Sequence, residues 1–290
     1  MMNSILPMKY EHLIEEVKKL GKVSYLATTP LGYKIPMVSI GKGKAKTLIV
    51  ASIHAREHIT TSLLNKLMQN YQSKIPIDYI PMLNIDGVML ATNGLSIAKD
   101  ELLKEQLLQL NNGSEDFSLW KANARGVDIN VNFDADWGEG QQNVTSAGSE
   151  NYIGINCNSE IETQSIVNVL KNNYSLVCCY HSKGEVIYWG YENNFRHYLY
   201  AKKYADYVGY ELTRSEGSAG GLKDYYSLNY NGLGLTVEIG EDQLPHPYPL
   251  SELNNLITKH TGSIELLAEM GETIAELHGE SNRRSENCTQ

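Results

Sequence analysis

Four residues in this chain have the types and spacing for hydrolytic chemistry at a metal. His54-Ala55-Arg56-Glu57 places an imidazole and a carboxylate three positions apart, directly after the apolar run TLIVASI at 47–53. A catalytic zinc site takes three protein ligands and keeps a fourth position open. At a turn from strand into helix, His54 and Glu57 can face one point, which leaves one ligand to find. His181 follows a second apolar run, SLVCCY at 175–180, and is the natural candidate. With neutral imidazoles, one Zn²⁺ and one carboxylate carry a net charge of +1. Glu238 sits inside a third apolar run, LGLTVEI, where a carboxylate is costly unless it is paired or beside a metal. It would neutralise the site and accept a proton from water whose pKa the metal has lowered to about 7. A His-x-x-Glu alone occurs often by chance; its joint placement with His181 and Glu238 at the ends of apolar runs points to one bound zinc ion. On this chemistry alone a peptidase, an amidohydrolase and a deacylase all remain open.

The elements that must position these residues follow from periodicity. Residues 8–20 show helical spacing at Tyr10, Leu13, Ile14, Val17 and Leu20, and Gly21 ends the helix. Strands are expected at 23–26 and 33–40, joined by a turn at Pro30-Leu31-Gly32. Further strands are expected at 47–53, 79–83, 175–180 and 233–239, and helices at 60–71, 159–172, 197–210 and 251–278. Residues 98–119 are polar and helix-prone, with an Asn-Asn-Gly stop. Residues 134–158, rich in Gly, Asn and Ser, read as a long loop, and loops of that length are usually functional. The alternation predicts one α/β domain over 1–280 with a largely parallel sheet, followed by a polar, disordered tail at 281–290. Ligand sites in such sheets lie beyond the carboxyl ends of strands, where His54 and His181 fall.

Composition narrows the class. The 290 residues are 42% hydrophobic and 20% charged, the profile of a globular protein. A net charge of -9 without a basic stripe argues against nucleic-acid or anionic-membrane partners. No apolar stretch approaches 18 residues, and the N-terminus has no signal-peptide pattern. Cys157, Cys178, Cys179 and Cys288 make a poor disulfide framework and read as free thiols in a reducing compartment, so a cytoplasmic location is expected. Oligomeric state is not encoded in any feature noted.

At this level of detail the sequence resembles the zinc carboxypeptidases. ASIHAREHIT (51–60) resembles the family's first ligand block, and PMLNIDG (81–87) its Asn-Pro-Asp-Gly turn, with Ile85 for proline. WKANARGVDINVNFDADWG (120–138) resembles its Gly-Val-Asp-x-Asn-Arg-Asn block, and NSEIETQ (158–164) its Ser-Glu-Pro-Glu-Thr element. YHSKGEVIYW (180–189) resembles the third-ligand block and GLTVEIGED (234–242) the catalytic-glutamate block. These stand in family order from about residue 8 to 275. The resemblance implies a mixed, mostly parallel sheet of about eight strands flanked by helices. It implies His54, Glu57 and His181 as zinc ligands and Glu238 as general base and acid. Lys121 falls where the family has an arginine that stabilises the oxyanion, and Arg125 is a second cation that would share or replace that role. Arg56 and Asn130 match substrate-contacting positions, with Ser182 and Tyr225 as further candidates.

Two departures bear on the substrate. Asn130-Val131-Asn132 stands for the family's Asn-Arg-Asn, so the arginine that grips a free C-terminal carboxylate is missing, and valine cannot replace it. In SEGSAGGLKDYY (215–226), Glu216 falls where the family has a mobile tyrosine, and Lys223 falls at the floor of the specificity pocket. A cation there favours an acidic substrate group. SKGEVIYW with GGLKDYY is more similar to bacterial members that cut γ-D-glutamyl–diaminopimelate bonds, which implies a murein-derived peptide as substrate. An ordinary metallocarboxypeptidase, or a zinc deacylase of the same fold, is the alternative.

Overall fold

The computed structural model describes residues 9–191, 195–214 and 216–287. Helix α1 (Tyr10–Val17) buries Leu13, Ile14 and Val17 along one stripe. Strands β1 (Lys22–Thr28) and β2 (Lys34–Ile40) form an antiparallel pair. Strand β3 (Thr47–Val50) is buried throughout and leads to helix α2 (Ile59–Gln69). Strand β4 (Ile77–Ile80) is followed by helix α3 (Ile85–Asn93), where the sequence suggested only a turn. Asn84 starts α3, its side-chain oxygen accepting the Gly87 N–H at 3.0 Å. Asp100 caps helix α4 (Glu101–Leu110) in the same way.

Residues 134–158 carry no helix or strand, as the composition predicts. Then come helix α5 (Ile161–Leu170), strand β5 (Leu176–Ser182), strand β6 (Val186–Trp189), helix α6 (Tyr198–Val208), strand β7 (Glu211–Thr213), helix α7 (Leu222–Asn229) and strand β8 (Leu233–Ile239). Helices α8 (Leu253–His260) and α9 (Ser263–Asn287) complete the chain. The backbone of α9 passes the 280/281 boundary at which the sequence suggested a disordered tail. Positions 288–290 lie outside the described residues.

The eight strands form one mixed sheet in the order β1-β2-β4-β3-β5-β8-β6-β7. Strands β4, β3, β5 and β8 run parallel at its centre, and β7 runs parallel to β6 at one edge. The centre is apolar on both faces: Leu48, Ile49, Val50, Leu176, Val177, Cys178, Leu235 and Val237 are all buried. Helices cover both faces of a large core cluster, and a smaller cluster gathers Leu90, Leu107, Phe117 and Trp120 beside Ala55. In the β5–β8 register, His181 stands directly opposite Glu238.

The run at 47–53 is shorter as a strand than the sequence suggests. Ser52 adopts a left-handed φ of 49°, which ends the regular strand before His54. Thr60 and Thr61 hold this bend. The Ser52 N–H donates to Thr60 Oγ1 at 3.0 Å, and the Ser52 hydroxyl lies 2.7 Å from Thr61 Oγ1. The first ligand therefore leaves the sheet at a braced, uncommon conformation rather than at a frayed end.

Candidate metal centre and catalytic cleft

His54 follows β3, Glu57 lies on a single 3-10 turn before α2, and His181 is the sixth residue of β5. All three are buried, and one ligand atom from each falls within 4.8 Å of the other two. His54 Nδ1 is 3.2 Å from His181 Nδ1 and 2.8 Å from Glu57 Oε1, and His181 Nδ1 is 3.1 Å from Glu57 Oε2. Tetrahedral zinc with Zn–N of about 2.0–2.1 Å sets neighbouring nitrogens roughly 3.3 Å apart, so the triangle has the size of a zinc coordination face. Two ring nitrogens turned toward each other beside one carboxylate are a poor hydrogen-bonded set and a good donor set. The residues fit the ion.

The opposite edges of both rings are held. His54 Nε2 lies 3.2 Å from Asp128 Oδ1, and His181 Nε2 lies 3.2 Å from Cys179 Sγ. Such partners fix ring orientation and leave Nδ1 to the metal. The Ser182 N–H donates to Glu57 Oε2 at 3.2 Å, which orients the carboxylate. Burial alone would lower the pKa of His54, but Glu57 and Asp128 raise it to about 9 in the metal-free protein. Burial lowers that of His181. Despite burial, the two imidazoles hold the Glu57 carboxyl well below the usual range.

The centre opens into a cleft of about 1000 Å³ lined by His54, Lys121, Asn130, Val131, Lys223 and Glu238, among others. Burial, then the charge of Glu57, pushes the Glu238 carboxyl up to about 8, close to the pKa that suits a general base at neutral pH. Lys121 Nζ pairs with Asp128 Oδ2 at 2.7 Å and donates to Asn151 Oδ1 at 2.7 Å. Asn130 Oδ1 accepts the Leu222 N–H at 3.1 Å, so its amide nitrogen is the group left to face a ligand. Gly220 has a φ of 78°, and a Cβ there would meet Val131 O at 2.5 Å. Only glycine lets the 216–221 segment close against the cleft wall.

Other sequence candidates are placed differently. The Arg125 guanidinium is half exposed and its Nε lies 3.6 Å from Glu160 Oε2. Arg56 turns to Glu150, at 2.5 and 3.3 Å, and to the Leu119 carbonyl at 3.4 Å. Tyr225 packs its ring near Phe133 and Tyr230, in a rim or core role. Ser182 is buried and acts through its backbone. Lys223 lies at the cleft but is buried, with its ammonium donating to Asp224 Oδ1 and, at 2.6 Å, to the Gly190 carbonyl. It is therefore already neutralised.

Two cleft residues had no role in the sequence reading. Asp128 belongs to the quoted Gly-Val-Asp block, and its signal was an acid flanked by Val127 and Ile129 in an otherwise polar loop. Arg214 follows β7, a three-residue edge strand too short to announce itself.

A parallel-centred α/β sheet carrying two imidazoles and a carboxylate on one ion-sized triangle, with the buried Glu238 on the rung beside His181, has the make-up of a zinc-dependent hydrolase. The chain belongs to the zinc carboxypeptidase family, whose pattern it matches over residues 9–255. It is a zinc metallopeptidase. It is 30% identical over 281 residues to gamma-D-glutamyl-L-diamino acid endopeptidase 1 of Lysinibacillus sphaericus, an alignment spanning 87% of this chain and 70% of that one. Its fold superposes on carboxypeptidase A from Helicoverpa armigera with a TM-score of 0.71 at 18% identity, covering 93% of this chain and 74% of that one. It also superposes on murein-tripeptide amidase MpaA from Escherichia coli O157, with a TM-score of 0.57 at 20% identity, covering 85% and 91%. These last two likenesses concern the fold. Among the described residues no helix is long and apolar enough to cross a membrane.

Proposed function

We propose that this zinc peptidase hydrolyses the γ-D-glutamyl–diaminopimelate bond of murein-derived peptides. The observation that carries the reading is Val131 in the cleft wall, where the family resemblance calls for the arginine that grips a C-terminal carboxylate. An apolar side chain there removes the bidentate clamp of an ordinary carboxypeptidase. The L. sphaericus relative, by its name, acts on a γ-D-glutamyl-L-diamino acid linkage, which supports the same substrate class.

His54, Glu57 and His181 would hold the ion. Bound there, zinc supplies Lewis-acid polarisation of the scissile carbonyl and acidifies water. Glu238 takes one proton from the attacking water and returns it to the departing amine, so that amide and water become carboxylate and amine. Lys121 keeps a cation facing the cleft for the charge that develops on the carbonyl oxygen, and its pairing with Asp128 holds it in place. Asn130 offers its amide N–H groups to the substrate's polar atoms.

The test is incubation of the zinc-loaded protein with L-Ala-γ-D-Glu-meso-diaminopimelate, following release of diaminopimelate, beside a hippuryl amino acid with a free C-terminus. Release from the first and little turnover of the second is expected. Turnover of the hippuryl substrate alone overturns the reading in favour of an ordinary carboxypeptidase.

A further inference from the structure

We infer that Arg214 receives a carboxylate of the substrate's diamino-acid side and thereby sets specificity. This rests on the murein-peptide reading and assigns the group that recognises it. Among the described residues three cations line the cleft: Lys121, Lys223 and Arg214. Lys121 is committed to Asp128 and Asn151, and Lys223 to Asp224 and the Gly190 carbonyl. The Arg214 side chain has no ion pair and no hydrogen bond among the described residues.

What Arg214 does have is aromatic support. Its guanidinium carbon lies 4.6 Å from the Phe195 ring centroid and 6.0 Å from that of Trp189. Stacking occupies the faces of a guanidinium and leaves its N–H edge available. That edge matches a carboxylate bidentately. The rings also restrict the side chain before a ligand arrives, so less freedom is lost on binding.

The sheet fixes how far this edge stands from the chemistry. In the β6–β7 register Tyr188 faces Thr213, which sets Arg214 level with Trp189. Across the β6–β8 pair, Trp189 faces Leu235 and Val186 faces Glu238. Arg214 and Glu238 are thus two strands and three residues apart, about 14 Å between Cα atoms at ordinary strand spacings. Both residues line the same cleft, and a separation of that order spans one extended diamino acid. A cation absent at Val131 is in this way supplied from the end of β7, at a position suited to the far carboxylate of diaminopimelate rather than to a peptide's α-carboxylate.

The experiment uses the full chain, zinc-loaded, carrying Glu238→Gln so that bound peptides persist. L-Ala-γ-D-Glu-meso-diaminopimelate and L-Ala-γ-D-Glu-L-Lys differ at that end only by the far carboxylate, and their dissociation constants are measured by calorimetry. The diaminopimelate peptide is expected to bind some 10- to 100-fold tighter, the range of a charged double hydrogen bond. Adding Arg214→Gln should erase that preference by weakening the diaminopimelate peptide alone. Arg214→Lys, which keeps the charge without the fork, should retain about a tenth of it, and it carries the test if the glutamine variant does not fold. No preference in the parent, or an unchanged preference in the Arg214 variants, overturns the assignment. Cleavage by the unaltered enzyme is scored separately. A preference that depends on Arg214 without cleavage would sink the proposed function but not this site, and cleavage with a preference indifferent to Arg214 would do the reverse.

Discussion

Asp128→Asn isolates what the carboxylate beneath the metal centre contributes. Asp128 is buried, accepts the Asn130 N–H at 2.9 Å, and holds His54 Nε2 at 3.2 Å and Lys121 Nζ at 2.7 Å. Burial would raise its pKa, but Lys121 and His54 keep it far below the usual range, so it is anionic at any working pH. Asparagine preserves shape and one acceptor but removes the charge, with two consequences of different kind. His54 loses the partner that fixes its tautomer, and loss of such partners lowers metal affinity about 10- to 100-fold, or roughly 1.4–2.7 kcal/mol. Lys121, with only 15% of its side chain exposed, loses its counter-charge. Breaking a buried pair from one side costs about 3–5 kcal/mol, and partial exposure favours the lower figure. At about 2–4 °C per kcal/mol for a chain of this size, the metal-free variant should melt some 6–12 °C below the parent. The assays are competition with a chromophoric zinc chelator and thermal unfolding of metal-free protein. Adding Lys121→Met should restore most of the lost melting temperature and none of the zinc affinity. An asparagine variant that binds zinc as tightly as the parent would refute the orienting role, and a double variant no more stable than the single would refute the buried-pair account.

Three further outcomes are expected. Glu238→Gln should lower kcat by about 10²–10⁴-fold while one equivalent of zinc is retained, and loss of the metal instead would make Glu238 a structural residue. Removing zinc with a chelator should abolish turnover and lower the melting temperature, and re-addition should restore both in proportion to occupancy. Glu162 is fully buried beside Asn123, and burial first, with Asp86 and Glu160, pushes its carboxyl up to about 8. The folded state then keeps a proton that the unfolded chain releases above its ordinary value near 4.5, so this residue's contribution falls as pH rises from there to about 8, by up to about 1.4 kcal/mol per unit. Glu162→Gln should therefore stabilise the protein at pH 8 and not at pH 4, and parallel unfolding profiles for the two forms would exclude that linkage.

The parts of this molecule that were readable from sequence are those buried on both faces. Runs such as LVCC and LGLTV cannot be hidden in any other element, and β8 begins and ends where its apolar run does. The ligands were readable because a histidine or a glutamate at the end of such a run is chemically expensive. Strands β6 and β7 were not, since their four and three residues gain their conformation from pairing, β6 with β8 and β7 with β6, and not from any period of their own. Helix α3 hid behind Asp86-Gly87, which has turn-like composition; Asn84 supplies the cap that makes it a helix start. The directions of Arg56 and Arg125 were beyond reach. Each is decided by one acid, Glu150 or Glu160, that lies far along the chain. Asp128 sits in an aperiodic stretch, where its apolar neighbours Val127 and Ile129 were the one sign of its burial.

His181 and Glu238 occupy one rung of a parallel ladder. A hairpin would lock such a rung through its turn, but β5 and β8 are joined by a long excursion, so their alignment is secured only by the neighbouring rungs from Leu176 opposite Leu233 to Ser182 opposite Ile239. A slip of one position would turn every side chain of one strand to the other face, taking either the imidazole or the acid out of the cleft. Metal uptake and turnover thus share a single mechanical prerequisite. In a refolded preparation, the fraction of molecules that captures zinc at full strength should equal the fraction that is active, which makes stoichiometric loading a count of correctly seated sheets.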